Sequence, residues 1–261
     1  MEKLYKSELA IINKFKDSYS CHYPLLKPML KGELASEIYV DSFSHPSAMF
    51  VFGDNNWCYS LGDFDSSKLQ IKVIELIENN ILKNEKPIFW FGISKATSEM
   101  LNQIKDISLN HYPRFNFTFT GCDIQIKKVD SSINVEVITA ENIESFIKYN
   151  PEFNQFWDSE ESFLQSGVGF IAKSDNQIVG HAFSASVCNQ EVEIDLMTLE
   201  TYRGKGISTH LTTTLINECE KRNLIPKWDC SISNKASIRL AEKHGFEVEK
   251  EYSFAYIERR K

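Results

Sequence analysis

Apolar residues at Leu69, Val73, Leu76, Ile77 and Ile81 recur at steps of three and four, which is the stripe of a helix resting on a core and predicts a helix over 67–82. Ahead of it, residues 48–52 and 57–61 are short aromatic-rich runs separated by Gly53-Asp54-Asn55-Asn56, a turn-forming cluster, so the two runs read as a hairpin. Behind it, 88–91 reads as a buried strand. Met100, Leu101 and Ile104 mark a second helix, and Phe residues alternating with Asn116 and Thr118 over 115–119 mark a further strand. The first 130 residues therefore read as a β-β-α-β-α-β series.

The stretch Lys127-Lys128-Val129-Asp130-Ser131-Ser132 is short and polar and reads as a join, which divides the chain into an α/β accessory domain, 1–130, and a second domain, 131–261. Beyond the join the pattern predicts a strand over 134–138 and helices over 140–148 and 159–165. Strands over 167–173, 177–186 and 191–199 then form a meander, with the first two joined by a turn at Asp175-Asn176. Next comes a helix over 206–222, with Ile207, Leu211, Leu215 and Cys219 four apart on one face. Pro226 precedes a strand over 227–232, a helix over 235–244 ends at Gly245 in the left-handed position that closes helices, and strands over 247–249 and 252–257 finish the chain. No internal repeat is visible in the sequence.

Composition narrows the classes. Of 261 residues, 42% are hydrophobic and 25% charged, which is ordinary globular material. The apolar run 87–93 falls far short of the roughly 18 to 20 residues that cross a bilayer, so no membrane span is expected. Residues 1–8 mix both charge signs without an apolar core or cleavage site, which points away from a secretory signal and toward the cytoplasm. A formal charge of -7 has the wrong sign for a general nucleic-acid binder and suits a cationic small molecule. Cys21, Cys58, Cys122, Cys188, Cys219 and Cys230 show no C-x-x-C pair and no histidine at metal-finger spacing, so they are expected to be reduced thiols with no metal site.

The chemistry concentrates in one segment. A strand, Glu191-Val192-Glu193-Ile194-Asp195-Leu196-Met197-Thr198, feeds the turn Thr201-Tyr202-Arg203-Gly204-Lys205-Gly206, which opens a helix at Ile207-Ser208. Backbone N–H groups at the start of a helix point outward together at the positive end of its dipole, glycine lets a phosphate approach, and Arg203 and Lys205 add charge. The turn suits a pyrophosphate. A Walker loop needs Ser or Thr after its lysine, but Gly206 follows Lys205. A dinucleotide fingerprint needs a third glycine where Thr209 stands, and only about 50 residues remain for a doubly wound sheet.

Residues 131–261 resemble the GNAT acetyltransferases. The resemblance rests on the meander, the long strand, the glycine turn, Trp228-Asp229-Cys230, and an Asn-led helix, Asn234 to His244, closing on Gly245-Phe246. Within that superfamily, Tyr-Arg-Gly-Lys-Gly, Pro226-x-Trp-Asp-Cys, Asn234-x-x-Ser237 and Glu251-Tyr252 look like the zwittermicin-resistance branch, in which an extra N-terminal region precedes the GNAT half. The resemblance implies an α+β fold, a mixed and mostly antiparallel sheet flanked by helices, and acetyl-CoA as co-substrate. It implies coenzyme contacts at Met197, Thr198, Arg203, Gly204, Lys205, Gly206, Ile207, Ser208, Asn234 and Ser237, the first two through the main chain. The activity implied is acetyl transfer to a primary amine of a small molecule by direct attack.

Two positions depart from the family pattern: Thr201 stands where Gln or Arg is usual, and Ala241 stands where a tyrosine acid is often found. An amine near pKa 10 is mostly protonated at neutral pH and needs a proton acceptor. Glu193 and Asp195 share one side of their strand and are the candidates; the alternative is that both face solvent or pair with a neighbouring strand. Asn234 serves equally as a helix cap. Tyr252 and Tyr256 are candidate acids or core packing, and Trp157 and Asp158 either line the acceptor site or start a helix. Two other functions compete: a non-catalytic CoA-binding module, and a protein or peptide N-acetyltransferase. A homodimer is compatible with either.

Overall fold

The computed structural model describes residues 2–5, 11–13, 15, 23–65, 68–84, 86–121 and 129–260. Ser67 of the first predicted helix, Cys21, Cys122, and Lys127 and Lys128 of the predicted join lie outside the described residues, as do Met1 and residues 6–8. The chain gathers into two compact units, Met1–Arg114 with Glu251–Lys261, and Phe115–Lys250.

In the first unit β1 (Glu2–Leu4), α1 (Leu26–Lys31), β2 (Ser36–Val40), β3 (Ala48–Gly53) and β4 (Trp57–Gly62) lead to α2 (Lys68–Asn84), β5 (Ile88–Phe91) and α3 (Lys95–Asn102). The strands from β1 to β4 pair antiparallel in sequence order, with Asn56 at φ 64° in the predicted hairpin turn. β5 is parallel to β4, which requires a crossover, and α2 supplies it. The α2 stripe of Leu69, Val73, Ile77 and Ile81 is fully buried against Phe50 and Trp90. β6 (Ile107–Phe119) starts in this unit. It reaches further back than the predicted 115–119 because residues 108–116 are largely half-exposed or polar and carry no apolar alternation.

The second unit continues with β7 (Ile133–Val137), α4 (Ile143–Tyr149), a 3₁₀ turn at Pro151–Gln155, α5 (Glu160–Ser166), β8 (Gly169–Ser174), β9 (Gln177–Cys188) and β10 (Glu191–Thr198). A 3₁₀ turn at Glu200–Tyr202, α6 (Ile207–Lys221), β11 (Ile225–Ser231), α7 (Lys235–Lys243) and β12 (Phe246–Arg259) follow. β7 through β10 are antiparallel neighbours, and β11 joins β10 in parallel. The predicted helix over 140–148 begins only at Ile143, because Asn142 ties the preceding turn: its Oδ1 accepts from Thr139 N at 2.9 Å and its Nδ2 donates to the Val137 carbonyl at 2.9 Å. Pro226 lies inside β11 rather than before it, at the second position of the strand. The two strands predicted after Gly245 are one, β12. On one face of this sheet α6 buries Ile207, Leu211, Leu215 and Cys219 against Val192, Ala182 and Val179. On the other, α4, the 3₁₀ turn and α5 set Phe146, Phe153 and Phe163 against Phe183 and Ile171.

The units repeat an order of elements that the sequence does not display. β3-β4-α2-β5-α3-β6 and β9-β10-α6-β11-α7-β12 are the same string: a hairpin, a crossover to a parallel strand, a helix and a long strand. Each unit also takes its last strand from the other half of the chain. Residues 254–257 of β12 pair antiparallel with β5 in the first unit, whereas in the second unit the strand beside β11 is β6.

Candidate functional site

The turn between β10 and α6 is built as the sequence suggests. Gly204 and Gly206 sit at φ 79° and 80°, conformations that cost a side-chain-bearing residue energy, and a Cβ on either would meet nothing within 4 Å. Residues 203–206 are exposed, so the glycines leave open approach to the backbone rather than room for core packing. Gly206 caps α6, and the first α-helical bond runs from His210 N to Gly206 O at 3.0 Å, leaving the amides of Ile207, Ser208 and Thr209 without intrahelical acceptors. Thr198, Tyr202, Arg203, Gly204, Gly206, Ile207, Ser208 and Thr209 line a cavity of about 280 Å³. Thr198 Oγ1 and Ser208 Oγ are hydrogen-bonded at 2.8 Å, which ties the end of β10 to the first turn of α6. Arg203 is 3.8 Å from Glu200 and largely exposed, and the Lys205 ammonium lies 4.6 Å from the Tyr202 ring centroid.

No acidic side chain stands in the first turn of α6, while Arg203 and Lys205 precede it. Cations at the positive end of a helix dipole cost stability in the absence of an anion. This local conflict is the expected signature of an anion-binding turn.

β10 and β11 pair only from Glu191↔Ile225 to Glu193↔Lys227, although β10 continues to Thr198 and β11 to Ser231. Past Glu193 the two strands part, so backbone groups of β10 around Met197 and Thr198 are available on that edge for an extended ligand. The turn and the parted edge adjoin in sequence at Thr198. Together they fit a pyrophosphate followed by an extended arm.

Val192, Ile194 and Leu196 pack toward α6, so by alternation Glu193, Asp195 and Met197 occupy the opposite face of β10. The two carboxylates share a side but not an environment. Glu193 is buried at 7% exposure, whereas the Asp195 side chain is 37% exposed and its Oδ2 is 2.8 Å from His181 Nε2. Register shifts between Glu193 and Ile194, with one extra residue on the β9 side between Ser184 and Ser186. His181 was not among the residues singled out from sequence: a lone histidine in Ile178-Val179-Gly180-His181-Ala182-Phe183 carries no motif. Its signal is positional, since Met197 lies opposite it and Asp195 is two residues along.

Asn234 caps α7, its Oδ1 accepting from Ser237 N at 3.1 Å, and Ser237 Oγ accepts from Trp228 Nε1 at 3.1 Å. Both residues thus position the start of α7 over β11. Ala241 is fully buried among Phe117, Trp228 and Phe246, and an alanine supplies no acid there. Tyr252 and Tyr256 belong to the first unit: Tyr252 packs edge-on to Tyr23, and Tyr256 on Phe89 and Tyr112. Trp157 donates from Nε1 to the Ser184 carbonyl at 2.8 Å and packs on Phe163, and Asp158 is exposed. Cys58, Cys188, Cys219 and Cys230 are buried and not disulfide-bonded; burial pushes the Cys219 thiol up to about 12. No described helix is long and apolar enough to cross a membrane.

A meander feeding a glycine turn at a helix start, beside a parallel strand that parts from its neighbour, defines an α+β fold with a large mixed sheet flanked by helices. The chain belongs to the GNAT acetyltransferase family, whose sequence model matches residues 16–255 and so extends through both units. It is 25% identical over 266 aligned residues, covering 98% of each chain, to the uncharacterized N-acetyltransferase YdfB of Bacillus subtilis (strain 168). Its fold is similar to a GCN5-related N-acetyltransferase-like protein from Streptococcus suis 89/1591, with a TM-score of 0.76 at 21% identity over 97% of this chain and 99% of that one. It is also similar to a tandem GNAT protein from the clavulanic acid biosynthesis pathway, with a TM-score of 0.64 at 9% identity over 97% and 93%.

Proposed function

We propose that this protein transfers the acetyl group of acetyl-CoA to a primary amine of a small molecule, by direct attack and without a covalent enzyme intermediate. The observation that carries the reading is the Gly204–Gly206 turn opening α6 beside the parted edge of β10. Acetyl-CoA would supply a thioester carbonyl open to attack. The amides at the start of α6, with Arg203 and Lys205, would hold its pyrophosphate, and Met197 and Thr198 would pair through their main chain with the arm. A backbone N–H of β10 would steady the charge developing on the carbonyl oxygen. Of the two carboxylates on this face of β10, Glu193 and Asp195, one would take the proton from the acceptor nitrogen. Asn234 and Ser237 would order the thiol end of the arm through the start of α7. The negative formal charge suits a cationic acceptor, and the zwittermicin-resistance-like motifs point to amine-bearing antibiotics as the first compounds to try.

A free-thiol assay with acetyl-CoA and a panel of aminoglycosides, polyamines, amino acids and peptides tests this reading. Thiol release with an amine, abolished in Gly206→Trp, is the expected result. Binding of acetyl-CoA without release for any acceptor would instead support a non-catalytic CoA-binding module, a reading favoured by the buried Ala241 at the usual acid position. Release with peptides alone would support a peptide N-acetyltransferase.

A further inference from the structure

We infer that His181 is a positioning residue that aims Asp195, and that Asp195 rather than Glu193 receives the proton of the acceptor amine. The inference rests on the acyltransferase reading above and names the residues that carry its proton transfer.

The geometry separates two ends of one contact. His181 is 2% exposed, while the Asp195 side chain it holds at 2.8 Å is 37% exposed. The ring stands in a box of aromatic walls on the α4 face of the sheet: Phe146 at 5.5 Å, Phe183 at 5.4 Å and Tyr149 at 5.8 Å between centroids, all edge-to-face. An ionised carboxylate only accepts hydrogen bonds, so the tautomer that fits places the hydrogen on Nε2. Nδ1 then turns its lone pair to the walls, and it has no hydrogen-bond partner among the described residues. A box of this kind would be filled more favourably by an apolar residue, because a buried polar atom left unpaired is destabilising. The one hydrogen bond of the imidazole among the described residues is with Asp195.

The charged and titratable groups placed near the pair sit in different settings. Tyr149 of α4 is the ionisable group against the ring, and burial raises its hydroxyl to about 12, so it stays protonated. Along β10, Glu193 is sealed at 7% exposure. On β11 the same face carries Lys227, opposite Glu193, and Asp229 two residues on; Lys227 lies 3.5 Å from Glu191. Of the two carboxylates on this face of β10, Asp195 is the one both held by His181 and partly exposed.

In the step, an N–H bond of the acceptor breaks and an O–H bond forms on Asp195 as nitrogen bonds to the acyl carbon. The carbon–sulfur bond breaks with its electron pair left on sulfur. Asp195 passes its proton to solvent, and His181 keeps its own throughout. It acts only by restricting the carboxylate to one rotamer.

The test compares kcat and KM in His181→Ala, His181→Gln, Asp195→Asn, Glu193→Gln and the His181→Ala/Asp195→Asn double variant, with thermal unfolding of each. Asp195→Asn is expected to lower kcat by about 10²–10⁴-fold, the usual range for a lost general base. His181→Ala should lower kcat by about 10- to 100-fold with KM for acetyl-CoA unchanged, and His181→Gln, which keeps an N–H donor, should recover most of it. The double variant should match Asp195→Asn alone, because the histidine acts through the aspartate. Losses that multiply in the double variant, equal losses in Ala and Gln, or Glu193→Gln as the damaging carboxylate change would overturn the inference. Nitrogen NMR of the imidazole gives a readout independent of turnover: the Nε2–H tautomer altered in Asp195→Asn supports the contact, and an Nδ1–H tautomer rejects it. Failure of the acyltransferase reading is distinguishable, since it appears as wild type that binds acetyl-CoA yet releases no thiol with any amine.

Discussion

Two crossovers with the same strand–turn–helix–strand order have opposite turns. Between β4 and α2 the turn begins Gly62-Asp63-Phe64-Asp65; Phe64 is driven into the core edge-on to Trp90 at 5.8 Å, and Asp65 Oδ1 accepts from Ser94 Oγ at 2.7 Å, Thr97 Oγ1 at 2.8 Å and Gln70 Nε2 at 3.1 Å. Between β10 and α6 residues 203–206 are all exposed, both glycines are left-handed, and the charges are positive. The first turn spends its polar groups on its own unit and places carboxylates before a helix start, which is locally favourable. The second keeps its amides open and its cations in the unfavourable place. One crossover topology thus carries a turn that satisfies its own polar groups in one unit and an exposed, cationic turn in the other.

The comparison breaks most sharply at Gly206. Gly206→Trp should reduce turnover and acetyl-CoA affinity by about 100-fold or more, since a side chain there covers the amides, while the strain at φ 80° lowers the melting temperature by only a few degrees; isothermal titration and a thermal scan check both. Asp65→Ala should act in the reverse sense, lowering stability by about 1–2 kcal/mol in urea titration through three lost hydrogen bonds, with KM for acetyl-CoA unchanged. If it raised that KM as much as Gly206→Trp, the division of roles between the two turns would be wrong. Asn234→Ala should cost about 1 kcal/mol from the lost α7 cap; a rise in KM for acetyl-CoA larger than that of Asp65→Ala would mark Asn234 as a coenzyme contact as well as a cap.

A smaller effect sharpens the picture of α6. Burial pushes the His244 imidazole below its ordinary range, and its Nε2 lies 3.0 Å from Thr213 Oγ1 on α6. A folded-state value below the unfolded one means the contribution is present above about 6.5, the unfolded value, and is lost as pH falls through the folded value. His244→Gln should therefore flatten the acid side of the stability profile by roughly 1 kcal/mol or less, measured by denaturation at pH 5 and pH 8.

The glycine turn was legible because its requirement is local: positive φ and an open backbone ask for glycine at fixed places, and Gly204 and Gly206 supply it. The α2 and α6 stripes were legible for the same reason, as side chains three and four apart share a helix face. His181 was not, because a histidine within an apolar strand acquires meaning only from what the next strand sets beside it. The length of β6 and β12 was hidden too, since their half-exposed residues keep no apolar alternation.

By itself the sequence determined most helices and strands from residue 48 onward, though not β1, α1 or β2, together with the turn glycines and the motifs of the acetyltransferase family, all of which depend on residues a few positions apart. Only the tertiary structure decided that β12 supplies a strand to the unit at the opposite end of the chain, that β10 and β11 part after Glu193, and that Asp195 meets His181 while Glu193 is sealed. Strand register and partner choice come from which distant surfaces bury one another, and the periodicity of a single segment carries no record of its partner.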